Sequence, residues 1–122
     1  MLRIFLMLAA FFGFTGVALG AFAAHGLKSR LTPEYLAVFQ TGVHYQMLHA
    51  LALLGVALLS VQVGGALVKW AGWAFAVGIL LFSGSLYLLT LAGLSVGIVT
   101  PIGGLFFLIG WALLLAAAAR LG

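Results

Sequence analysis

Three histidines and one carboxylate are the residues with chemistry to offer in this chain: His25, His44, His49 and Glu34. An imidazole exchanges protons near neutral pH and ligates metal ions or haem iron. A carboxylate adds an oxygen ligand or a proton acceptor. Tyr45, beside His44, contributes a phenol. His49 stands out, because Ala50-Leu51-Ala52-Leu53-Leu54 follows it without a break. An ionisable side chain within an apolar stretch of a membrane segment is by default a functional candidate.

Spacing limits that chemistry. His44 and His49 are five residues apart, about 500° of helix, which leaves roughly 140° between the side chains. They do not share one ion from one helical face, as an i,i+4 pair does. A mononuclear site requires His25 to join one of them across a helix interface, and Glu34 adds an oxygen only if the loop folds over. That pattern names no particular metal, and two histidines on facing helices suit haem equally. Local partners support a structural role instead. Tyr45–His49 and Gln40–His44 are i,i+4 neighbours, and a neutral imidazole near a helix end bonds a loop carbonyl. Structural ties, proton or solute handling by His25, His49 and Glu34, and metal or haem binding therefore stand side by side. Nucleophilic catalysis has no support: there is no Cys, and no Ser stands in a motif with a His and an acid. Gly103-Gly104 lacks the Lys-Ser or Lys-Thr of a phosphate loop. The expectation is a non-enzymatic protein without a resident cofactor.

The elements that must carry these residues are set by composition. Of 122 residues, 66% are hydrophobic and 5% charged, with five Lys or Arg against Glu34. So few charges cannot clothe a soluble domain, which excludes soluble, disordered and nucleic-acid-binding readings. With no Cys, thiol and disulfide chemistry is excluded as well. A bilayer core needs about 20 apolar helical residues per crossing. Four stretches qualify, at about 4–24, 44–62, 68–91 and 100–119. The fold expected is all-α, one bundle of four transmembrane helices over 1–122.

Thr32-Pro33-Glu34 reads as a helix start: a capping hydroxyl, a proline at the first position, and an acid at the positive end of the dipole. A helix from Pro33 to Gln62 is roughly 45 Å long at about 1.5 Å per residue. That exceeds the bilayer core, so Pro33–Gln46 is expected as an amphipathic start near the headgroups, bending at Gly42. Thr100-Pro101 repeats the cap-then-proline pattern for the fourth helix. At the N-terminus, Ala21-Phe22-Ala23 imitates a signal-peptidase site, but the apolar run before it is about 20 residues against the usual ~7–15. A retained span is expected. Arg3, Lys69 and Arg120 fall on one side of the membrane, Lys28 and Arg30 on the other. The excess of cations favours cytoplasmic termini.

Leucine gains little by leaving lipid, so close backbone packing and interhelical hydrogen bonds must hold such a bundle. Gly13, Gly16 and Gly20 form a small stripe expected to face another helix. Trp70, beside Lys69, reads as a headgroup anchor, while Trp73 and Trp111 serve anchoring or packing. The partners expected are the lipid bilayer and, through helix contacts, a second copy or another membrane protein.

Three stretches carry a family resemblance. Gly20-Ala21-Phe22-Ala23-Ala24-His25-Gly26-Leu27 resembles the GAFGAHGL signature of a family of small bacterial membrane proteins, uncharacterised protein family 0382, also called domain of unknown function 423. Ala23 or Ala24 stands where a glycine is common. Tyr45–Leu54 and Thr100-Pro101-Ile102-Gly103-Gly104, with Trp111 after it, resemble the same family. The resemblance implies a multi-pass protein of the bacterial inner membrane and no established activity. It draws attention to His25 and His49, which are expected to approach each other, or to share loop carbonyls, where helices one and two join.

Overall fold

The computed structural model of the chain describes residues 1–121. Five α-helices follow one another: α1 (Leu2–His25), α2 (Pro33–Gln62), α3 (Ala66–Gly78), α4 (Gly84–Ala92) and α5 (Val99–Ala119). A π-helical turn, Ile79–Ser83, joins α3 to α4 without a gap, so both belong to one rod, Ala66–Ala92. The described residues thus form four rods long and apolar enough to cross a bilayer, and no strand.

Local chemistry explains where α2 begins. Thr32 Oγ1 accepts the Tyr35 N–H at 3.2 Å, Pro33 opens the helix, and Glu34 lies in its first turn. The matching expectation for Thr100 is corrected. The last helix begins at Val99, and Thr100 lies within it, its hydroxyl 2.5 Å from that of Ser85 on α4. A hydroxyl facing a neighbouring helix in an apolar setting is satisfied by a polar partner there, and the first turn is left without a side-chain cap.

The helix α2 runs unbroken through Gly42. Phe39, Gly42, Gln46, His49, Leu53 and Val56 are buried along it at alternating steps of three and four, one stripe facing the bundle. Glu34, Gln40, Thr41 and His44 are exposed on the other sides, so the start of the helix is amphipathic. At Gly42, where a bend is expected, the helix packs closely on its neighbour. Ser83 Oγ donates to the Gly42 carbonyl at 2.6 Å, and a Cβ at Gly42 would stand 2.9 Å from the Tyr87 ring. Phe39 packs on Ala23 and Leu27, and its ring lies 4.9 Å from that of Tyr87.

Glycine makes the seams. Phe5 fills the space a Cβ would need at Gly72, Phe107 does so at Gly78, and Phe75 at Gly110. Each ring thereby lies against a neighbour's backbone, the contact that pulls helices together where lipid competes for every methyl group. On α1, Gly16 faces Met47 and Gly20 faces Val43, whereas Gly13 has nothing within 4 Å of its Cβ position and lies at the open edge of the stripe. The main pairings are α1 with α2 and α3 with α5, with α2 also against α3 and α4. No comparable backbone seam joins α2 to α5.

Candidate functional site

The gap between α2 and α5 is bridged by side chains alone, with His49 at the centre. Its Nδ1 lies 2.8 Å from the Tyr45 carbonyl, one turn back on α2. Its Nε2 receives the indole N–H of Trp111, on α5, at 3.1 Å. A carbonyl only accepts and an indole N–H only donates, so Nδ1 carries the proton and Nε2 presents its lone pair. The ring is neutral and both nitrogens are engaged. Its face lies on Phe107, centroids 3.6 Å apart and planes 7° from parallel. Phe75 and Trp111 meet edge-to-face beside it at 5.0 Å. A groove of about 750 Å³ opens along this seam, lined among others by Tyr45, Leu48, Phe82 and Gly104.

This arrangement separates the four chemical candidates. His25 is exposed at the end of α1, its Nδ1 2.9 Å from the Ala21 carbonyl. Its neighbours Ala23 and Leu27 pack at the level of Phe39. Phe39 and His49 are ten residues apart on α2, roughly 15 Å along the axis at about 1.5 Å per residue. The expected junction of His25 and His49 is therefore corrected: His25 bonds its own helix, His49 bonds its own helix and α5, and they share no partner. A single helix keeps its residues at fixed heights, so the short Gly26–Leu31 loop sets His25 beside the beginning of α2 rather than its middle. Glu34 is exposed in the first turn of α2, and His44 is exposed, its ring 6.3 Å from that of Tyr45. No three His, Asp or Glu side chains gather to hold a metal ion among the described residues. At His49, an iron or other metal would have to take the lone pair that Trp111 uses.

A second tie escaped the sequence reading. Gln46, 3% exposed, donates from Nε2 to the Phe12 carbonyl at 2.9 Å and to Thr15 Oγ1 at 2.8 Å. Its Oε1 accepts the Tyr87 hydroxyl at 2.6 Å. One amide thus joins α1, α2 and α4. The signal was an amide in an otherwise apolar stripe, which must find partners when buried. Among the described residues, no buried side-chain nitrogen or oxygen lacks a partner. At one end of the bundle, the Lys69 ammonium lies 5.3 Å from the Trp70 ring centroid. Trp73 packs edge-on against Phe5 at 5.4 Å.

Four apolar rods tied by satisfied interhelical hydrogen bonds define a multi-pass α-helical membrane protein. The chain belongs to the family described as "Protein of unknown function (DUF423)", whose model matches residues 19–104 and so takes in all three stretches of resemblance up to Gly104. It is 44% identical over 121 residues to the UPF0382 membrane protein YwdK of Bacillus subtilis (strain 168), an alignment covering 98% of each chain. It is likewise 44% identical over 120 residues to the UPF0382 membrane protein SAB0533 of Staphylococcus aureus (strain bovine RF122 / ET3-1), covering 98% of each. The UPF0382 inner membrane protein YgdD of Escherichia coli (strain K12) is 45% identical over 120 residues, covering 98% of this chain and 92% of that one. No solved structure matches the chain significantly.

Proposed function

We propose that this protein is a non-enzymatic scaffold or accessory subunit of the bacterial inner membrane, acting through helix contacts with its termini in the cytoplasm. The observation that carries this reading is that the buried polar side chains among the described residues are all bonded within the bundle. Both nitrogens of His49 are bonded within the bundle, and the Gln46 amide is shared among three helices. Side chains so engaged hold helices in place, and the one ring lone pair of His49 is already taken by Trp111. What the molecule offers to others is its outer apolar surface, including Phe14 and Leu115, 77% and 73% exposed. The relatives named as membrane or inner membrane proteins support the compartment. The cations Arg3, Lys69 and Arg120 support the orientation.

The test is photo-crosslinking in living cells from single positions on each outer face, Phe14 and Leu115 among them, with buried Phe39 as the control. One discrete protein adduct confined to one face is expected. Lipid adducts alone on every face would sink the scaffold reading. So would stoichiometric haem or metal in the purified protein, measured by absorption and elemental analysis. A reporter fused at the C-terminus reads the orientation, and a signal seen only from the periplasm would reverse it.

A further inference from the structure

We infer that the end of the bundle carrying Arg3, Lys69 and Arg120 is a docking surface for an anionic phospholipid headgroup, whose phosphodiester seats beside Arg120. The inference is independent of the scaffold reading. Charge complementarity carries it. Arg3 lies in the first turn of α1, Lys69 in the first turns of α3, and Arg120 directly follows α5, so three exposed cations share one end. No Asp or Glu side chain belongs to that end, because Glu34, the sole acid, opens α2 at the other. Lys28 and Arg30 share their end with Glu34, whereas no acidic side chain accompanies Arg3, Lys69 and Arg120.

Shape agrees with charge. Between the α2–α3 turn and Arg120 lies a notch of about 90 Å³, walled by Val63, Gly64, Gly65, Ala66 and Ala117. Ligand pockets for drug-sized molecules run from about 300 Å³ upward, so this notch suits the charged part of a headgroup and excludes a larger solute. Gly64 and Gly65 put no side chain into it, and each has nothing within 4 Å of its Cβ position. Depth agrees as well. Trp70, half exposed and beside Lys69, is an interfacial residue by type and position, which places this end among the headgroups. A basic recess between transmembrane helices at that level is a recurring form of headgroup site.

The test compares binding of dioleoylphosphatidylglycerol and dioleoylphosphatidylcholine to the delipidated full chain in neutral detergent, read by native mass spectrometry and by the shift in melting temperature. The anionic lipid should bind tighter. Arg120→Gln should weaken it about fivefold, and Arg3→Gln/Lys69→Gln/Arg120→Gln about a hundredfold, since each cation near an anionic surface contributes roughly a factor of five. Lys28→Gln/Arg30→Gln at the opposite end should change it less than about twofold. The melting temperature in phosphatidylcholine checks that every variant is folded, and Arg120→Lys should retain most of the preference. Equal affinity for the two lipids overturns the inference. So does a loss that follows Lys28 and Arg30 rather than Arg120. Displacement of the lipid by inorganic phosphate would assign the notch to a soluble anion and overturn it too.

Discussion

Replacing Trp111 by phenylalanine keeps a ring in the α2–α5 seam and removes one N–H. The lone pair of His49 Nε2, 3.1 Å from that nitrogen, is then left without a donor, on a ring stacked against Phe107. Water does not replace the donor readily, because the groove beside it opens toward lipid. An orphaned buried acceptor costs about 1–3 kcal/mol, while polar contacts within membranes have averaged roughly 0.6 and reached about 1.7 kcal/mol. Much of the indole already faces outward, at 47% exposure, so the lost ring atoms add little. Trp111→Phe should therefore cost about 1–2 kcal/mol of bundle stability. His49→Leu should cost a similar amount by orphaning the indole N–H instead. The double variant removes both partners and should cost less than the sum, by about 0.5–1.5 kcal/mol. His49→Gln should fall between wild type and His49→Leu, since an amide both donates and accepts. The assay is equilibrium unfolding in mixed micelles, titrated with a denaturing detergent. Costs that add to within about 0.3 kcal/mol would refute the argument, because groups that do not touch behave that way.

Gly103 and Gly104 are adjacent, yet only Gly103 lies against the main chain of Phe82, where a methyl group cannot be accommodated by a side-chain rotation. Gly103→Ala should lower the melting temperature clearly, while Gly104→Ala, with its nearest neighbour 3.9 Å away, should leave it almost unchanged; equal effects would contradict the packing of α5 on the π-helical turn. Gly16→Leu drives a side chain into Met47 and Gln46 and should cost about 1–3 kcal/mol by overpacking, read in the same unfolding titration; full stability would place that face in lipid. Gln46→Leu abolishes the tie among α1, α2 and α4 and should destabilise by about 1–2 kcal/mol, with Tyr87→Phe in the Gln46→Leu background adding almost nothing further.

The four long apolar helices and the start of α2 are legible in the chain alone. Both follow from one-dimensional rules: twenty apolar residues match the thickness of the bilayer, and Thr32-Pro33-Glu34 satisfies the first turn from within the segment. The glycine-and-aromatic composition also announced close packing, because lipid leaves little else to hold helices together. Which residues meet was decided only in three dimensions. Thr100 reads as a cap until Ser85 lies across from it, and nothing near Gly42 in the chain announces that Ser83 and Tyr87 come against it. His49 is visible in the sequence as an imidazole in an apolar run, but its partner is 62 residues away on α5, at a height and rotation fixed by how α2, α3 and α5 pack. Gln46 depends in the same way on Thr15 and Tyr87, 31 and 41 residues distant. Helical periodicity specifies the face a side chain takes on its own helix. The rotation and height of the neighbouring helix come from the sum of many weak contacts, Phe5 on Gly72 and Phe75 on Gly110 among them, and no local spacing encodes that sum.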